Sequence, residues 1–171
     1  MMVRGREDAA VVLANRAREL ARPVAAPTPA VPMIEVLCFS LGAERFGLDT
    51  GFVREIARSA ELTRVPGAPQ VIAGLSAVRG DILAAVDLTA LIPVPRPPGP
   101  FSWIIVCGTA QAEFGLLADT VENVATIPVS QLLEPPRPGG LAHSVARDGL
   151  VVLDAAALIS DSRLFIDYRT P

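Results

Sequence analysis

From residue 33 onward the apolar positions come in short runs, each closed by Gly, Pro, Asp or Asn, without the three-to-four spacing of an amphipathic helix. That texture belongs to a β-sandwich or barrel. It predicts strands at 34–41, 45–49, 52–57, 74–79, 82–88, 102–108, 113–118, 121–127, 141–146 and 150–154. "RDG" at 147–149 predicts a type I′ hairpin turn, because Asp and Gly both accept positive φ, and "RGD" at 79–81 predicts the same turn earlier in the chain. Before residue 33 the pattern changes. "REDAAVVLANRARELARP" gathers Val12, Leu13, Leu20 and several Ala on one helical face, and Pro23 stops it. "PVAAPTPAVP" then predicts an extended, semi-rigid linker.

Part of the chain is written twice. "AVRGDILAAVDLTALIP" at 77–93 is echoed by "VARDGLVVLDAAALIS" at 145–160. Phe46-Gly47-Leu48 returns as Phe114-Gly115-Leu116, Val53 as Val121 and Arg79 as Arg147, all at an offset of 68, and Asp87 returns as Asp154 at 67. A nearly constant offset marks a duplication. Each repeat supplies a five-stranded unit of about 65 residues, too small to bury much surface alone, so the two should share one core. The expected organisation is a helix and linker at 1–32 and a body at 33–165. The body divides into units of about 33–98 and 99–165, with end strands open to exchange, before a tail at 166–171. "PVPRPPGP" at 93–100 suits the boundary, since proline is excluded from central strands.

Of the 171 residues, 51% are hydrophobic and 19% charged, ample for a packed core. A net charge of only −3 argues against a general nucleic-acid binder. Cys38 and Cys107 lie in the apolar runs "VLCFSL" and "WIIVCG" and should be buried reduced thiols. One histidine and two separated cysteines make no zinc site, and no phosphate-cradling loop or dinucleotide fingerprint is present, so neither metal nor cofactor is expected. No apolar run has the length of a membrane span, which predicts a cytoplasmic protein without direct membrane insertion.

One enzymatic alternative can be framed. Asp49-Thr50-Gly51 is the short signature of aspartic proteases, and Asp119-Thr120 offers a second carboxylate that could share a proton with the first. The repeat opposes it: Asp49 aligns with Leu117 and Asp119 with Gly51, so the two are not equivalent. Phe52 and Val121 also stand where small residues are needed. A hydrolase built on Asp49 is therefore a remote alternative, and His143, with no nucleophile beside it, reads as an ordinary strand residue.

Leu41-Gly42, Phe46-Gly47-Leu48-Asp49, Val53-Arg54-Glu55-Ile56, Val65-Pro66, Gly74-Leu75 with Arg79-Gly80, Val86-Asp87-Leu88 and Gly115-Leu116-Leu117-Ala118-Asp119 follow one another in an order and spacing that resembles the CheW-like coupling proteins of bacterial chemotaxis. The resemblance covers about residues 33–160. It implies an all-β fold of two intertwined five-stranded SH3-like barrels, here with an N-terminal helical extension, and no enzymatic activity. It implies an adaptor that links methyl-accepting chemoreceptors, at their cytoplasmic tip, to the regulatory domain of a CheA-type histidine kinase in membrane-associated receptor arrays. By matched motif, Val53, Glu55, Gly74 and Arg79 fall among protein-binding positions, with Gly115 on the corresponding strand of the second half. Arg79 should sit at a hairpin end, where its fork can bind carboxylates or carbonyls. Gly74 should allow close backbone approach. Val53 and Ile56 should face the core, and Glu55 away from it. Ala77-Val78 and Ala84-Ala85 replace the family's more usual residues around Arg-Gly, which leaves open the pathway served: motility, pili or second-messenger output. A CheW-like regulator that competes for the kinase without coupling receptors is the alternative.

Overall fold

The structure, a computed structural model, describes residues 31–135 and 140–164. The helix expected over 1–22 and the tail at 166–171 lie outside the described residues. Eleven strands follow one another: β1 (Met33–Leu41), β2 (Glu44–Asp49), β3 (Val53–Arg58), β4 (Ile72–Val78), β5 (Asp81–Val86), β6 (Trp103–Cys107), β7 (Phe114–Ala118), β8 (Thr120–Pro128), β9 (Leu132–Leu133), β10 (Ala142–Ala146) and β11 (Val151–Leu153). One helical turn, α1 (Ala155–Ile159), comes after them. All ten strands expected from the alternation are present, and β9 is the addition.

The strand expected to reach residue 88 ends at Val86, because Asp87 turns the backbone. Its Oδ1 accepts from the Thr89 N–H at 2.9 Å and the Thr89 hydroxyl at 2.7 Å, capping a single 3-10 turn, Leu88–Ala90. Asp154 caps α1 in the same way, its Oδ1 accepting from the Ala157 N–H at 2.8 Å. The aspartate that recurs in both repeats is thus a helix cap.

The strands form two sheets, ordered β8-β1-β2-β11-β10-β9 and β3-β6-β7-β5-β4. At the repeat offset β1 corresponds to β6, β2 to β7, β3 to β8, β4 to β10 and β5 to β11. Each sheet therefore combines the first two strands of one repeat with the three matching later strands of the other, and β9 is the sixth strand of the larger sheet. The joint is parallel in both: Phe46 and Gly47 of β2 pair with Val151 and Val152, and Phe114 and Gly115 of β7 pair with Ala84 and Ala85. The boundary near residue 98 separates the repeats; it does not separate the sheets.

Burial follows the same pseudo-symmetry. Val78, Leu83, Ala85, Ile104, Val106 and Leu117 fill the interior of the five-stranded sheet. Val36, Cys38, Ala146, Leu150 and Val152 fill that of the six-stranded one, at the matching positions. A larger cluster, with Phe39, Phe46, Leu88, Ile105, Leu116 and Leu158, joins the two sheets and is the shared core that neither repeat could make alone. Phe39 and Phe46 stack across the β1–β2 pair, centroids 5.7 Å apart. Ser76 and Ser144, again 68 apart, are buried in β4 and β10 with hydroxyls that find no hydrogen-bond partner among the described residues.

The proline run at 93–100 is pinned by Arg96. Its Nε and Nη2 grip both Asp119 oxygens at 2.7–3.0 Å, and its Nη1 donates to the Gly99 carbonyl at 3.0 Å and its Nη2 to that of Pro100 at 3.2 Å. The guanidinium also lies over the Phe101 ring. The Asp119 carboxylate accepts the Gly42 N–H as well, at 2.8 Å, which ties the linker to the β1–β2 turn.

Candidate functional site

The β4–β5 hairpin closes in two residues, with Val78 paired to Asp81 and Arg79 and Gly80 both at positive φ, 49° and 97°. This is the expected type I′ turn. Arg79 is the one non-glycine residue at positive φ among the described residues, a conformation that costs on the order of 1–2 kcal/mol for an L side chain. The second hairpin departs from expectation. Arg147, Asp148 and Gly149 make a three-residue loop in which only Gly149, φ 87°, is left-handed. The Asp148 carboxylate caps the Leu150 N–H and reaches Arg45, which holds it at negative φ, and the glycine absorbs the extra residue.

Arg79 is 80% exposed and donates through Nε to Glu55 Oε1 at 2.5 Å. Glu55 lies on β3, at the opposite edge of the sheet from β4, so the pair bridges the seam where the sheet curls on itself. A second tie on the seam is the Thr63–Leu75 bridge, with both N–H groups donating at 2.8–2.9 Å. An ion pair this exposed stabilises by at most about 1 kcal/mol. Its effect is to orient the guanidinium, whose two terminal nitrogens have no hydrogen-bond partner among the described residues.

Val53, Glu55 and Ala57 are half-buried and Arg54, Ile56 and Arg58 exposed, but a β-bulge between Val53 and Glu55 sets Val53 and Ile56 opposite Cys107 and Ile105 on one face, and Glu55 and Ala57 opposite Val106 and Ile104 on the other. Ile56 thus shares the face of Val53, with Glu55 opposite, as expected, but at 38% exposed it lies at the margin of the core and not in it. Positions 53 and 56 differ by three, and the extra residue of the bulge brings them onto the same face. Ile56 and Ile82, the latter 72% exposed beside the hairpin tip, add apolar surface near the ion pair. Ile82 was not singled out from the sequence; its place one residue past the Val78–Asp81 pair that closes the turn is the signal that could have found it. The cation–π contact of Arg58 over Trp103, 3.9 Å to the centroid, left no sequence signal.

Gly74 lies where the 59–71 segment crosses β4; a Cβ there would come within 2.8 Å of the Thr63 carbonyl oxygen. Gly115 is buried mid-strand in β7, where a Cβ would overlap the Ile104 side chain. The structure thus brings Glu55 and Arg79 together, sets Val53 on the same strand and Gly74 beside the seam, and gives Gly115 a packing place beneath the surface.

The aspartates of the hydrolase alternative are apart. Asp49 pairs opposite Val36 and caps the Gly51 N–H at 2.7 Å, whereas Asp119 holds Gly42 at the far end of β1, about 20 Å of strand away. Burial pushes the Asp119 carboxyl up, but the Arg96 hydrogen bonds, the Gly42 N–H and the Arg96 charge outweigh it and hold the group below its ordinary range. Both cysteines are buried and free, as expected. Burial pushes the Cys107 thiol up to about 12 and raises Cys38 as well, so neither is a ready nucleophile. Among the described residues no cluster of three metal-ligating groups exists, and no helix is long and apolar enough to cross a membrane. An apolar groove of about 670 Å³ runs between Phe46, Leu91, Ile92, Leu141, Val145 and Val151, where the end of the first repeat meets strands of the second.

A family model described as the CheW-like domain matches residues 35–163. Protein FrzA of Myxococcus xanthus is 34% identical over 112 residues, covering 65% of this chain and 70% of that protein. Chemotaxis protein CheW of Treponema pallidum is 24% identical over 143 residues, 76% of this chain and 84% of the relative. The scaffolding protein TtCheW from Thermoanaerobacter tengcongensis, a crystal structure, has the same fold, with a TM-score of 0.66 at 24% identity over 77% of this chain and 96% of its own.

Proposed function

The chain belongs to the CheW-like domain family, whose members are scaffolding adaptors and not enzymes, and on that premise we propose that it couples chemoreceptors to a CheA-type histidine kinase in a chemosensory array. The observation that carries the reading is Arg79. It is held in a strained conformation at a hairpin tip, oriented by Glu55, and it points its unsatisfied nitrogens outward beside exposed Ile82. A residue kept at a conformational cost and a poor ion pair contributes little to the fold, so a partner is what it serves. Val53 and Glu55 extend the contact surface along β3, and Gly74 and Gly115 shape the strands beneath it. The proposed partners are the kinase's regulatory domain and the receptor's cytoplasmic tip, which places the protein in the cytoplasm at membrane-bound arrays.

The test is reconstitution of kinase with and without receptor-tip fragments. The protein is expected to raise receptor-dependent phosphorylation, and Arg79→Glu to abolish that gain with the fold intact. A protein that lowers kinase output with receptor present is a competitor, and that result overturns the coupling role. Normal array assembly by Arg79→Glu overturns the assignment of Arg79.

A further inference from the structure

The 68-residue offset maps Glu55 onto Asn123 and Arg79 onto Arg147. The seam of the five-stranded sheet is closed by a carboxylate from its own chain; the matching seam of the six-stranded sheet has an amide where that carboxylate would be. Arg147 is exposed and has no hydrogen bond or ion pair among the described residues. A cavity of about 310 Å³ opens at this place. Its floor is apolar, formed by Cys38, Ala125, Ile127, Ala146 and Leu150, and its mouth holds Asn123, Gln131 and Arg147. Of the neighbouring charges, Arg45 takes both Glu122 at 2.8 Å and Asp148 at 3.3 Å. Arg147 is the charged side chain of the lining that makes no ion pair among the described residues.

We propose that this cavity is a second contact site, which takes a glutamate or aspartate of a protein partner flanked by aliphatic side chains. The carboxylate would stand where Glu55 stands in the sister sheet, bonded to Arg147 and the two amides, and the aliphatic neighbours would cover the apolar floor. The inference rests on the repeat and the cavity and is independent of receptor coupling through Arg79.

The experiment titrates the isotope-labelled full chain with acetyl-Leu-Glu-Leu-amide, acetyl-Leu-Gln-Leu-amide and sodium acetate, followed by NMR. The Glu peptide should shift the Asn123 and Gln131 side-chain amides and the Arg147 Nε–H, and the Gln peptide should bind at least about tenfold more weakly, the loss expected with a charge-assisted bond. Arg147→Gln should weaken the Glu peptide to the same degree. Asn123→Glu is the sharper variant: it installs the pairing seen at Glu55–Arg79, so it should close the site and remove peptide binding while the rest of the spectrum is unchanged. Arg79→Glu should bind the peptide normally. Equal affinity for the Glu and Gln peptides, unimpaired binding by Asn123→Glu, or no shifts at the highest soluble peptide concentration would each overturn the proposal. Acetate binding as tightly as the peptide would replace it with a small-anion site.

Discussion

Arg96, in the middle of the linker between the repeats, holds both oxygens of Asp119, the residue that separates β7 from β8. The pair is only 12% and 25% exposed, so it is screened less than a surface ion pair. Removing the cation would leave Asp119 half-buried and uncompensated, and would free the Gly99 and Pro100 carbonyls. Arg96→Ala is expected to lower stability by about 2–4 kcal/mol in denaturant unfolding. Arg96→Lys should recover little of it, because an ammonium cannot make the bidentate grip. A loss below about 0.5 kcal/mol would show that the linker is held by something else.

Asp119 makes stability depend on pH in a defined window. Its folded carboxyl lies below the ordinary value of 3.8, so the unfolded chain binds its proton first as pH falls. The stabilisation is complete above that ordinary value and is lost as pH drops through the folded one. Unfolding free energy of the wild-type chain should therefore decline below about pH 4, and Asp119→Asn should show a flatter decline. Parallel acid limbs for the two proteins would count against this role.

Arg79→Gly separates strain from contact. Glycine accepts the left-handed backbone freely, and the exposed ion pair it removes is weak. Stability is expected to stay level or rise by up to about 1 kcal/mol by thermal unfolding, while receptor-dependent kinase activation falls. Destabilisation would mean that Arg79 supports the fold.

At Gly115 the expectation is reversed. A methyl group there meets Ile104, so Gly115→Ala should cost about 1–3 kcal/mol. Combined with Ile104→Ala, it should cost less than the sum of the two single changes, because the second substitution vacates the space that the first needs. Additive losses would place the strain elsewhere.

The paired serines give a prediction of opposite sign. A buried hydroxyl without a partner stabilises nothing, so Ser76→Ala and Ser144→Ala should be neutral or stabilising, by up to about 1 kcal/mol each in chemical denaturation. A loss above that would reveal an acceptor or internal water bonded to the hydroxyl.

Most strands were legible because each is a short apolar run closed by a turn residue, and the duplication was legible because Phe-Gly-Leu, the arginine and the aspartate recur in step. β9 escaped, since Leu132-Leu133 is two residues long and exists only through its pairing with β10. Asp87 and Asp154 look like strand residues in sequence; their capping becomes visible only once the next residues turn. The site was partly legible: Arg79 and Glu55 were named, but nothing local says that residues 24 positions apart meet across a seam. The non-equivalence of the two turns was misread, because Asp148 is committed to Leu150 and Arg45, a contact 103 residues distant.

The exchange of strands between repeats governs the protein's birth on the ribosome. β1 and β2 emerge first, but the neighbours that flank them in the finished sheet are β8 and β11, so their edges stay open until the chain has been made as far as residue 153. β3, β4 and β5 likewise wait for β6 and β7. No folded half can precede a folded whole, and pairing between segments so distant in sequence is slow to form. A nascent chain truncated in the proline run would not yield a working half-adaptor able to occupy a partner. Synthesis delivers either the complete two-sheet body or unpaired strands for chaperones and proteases to clear.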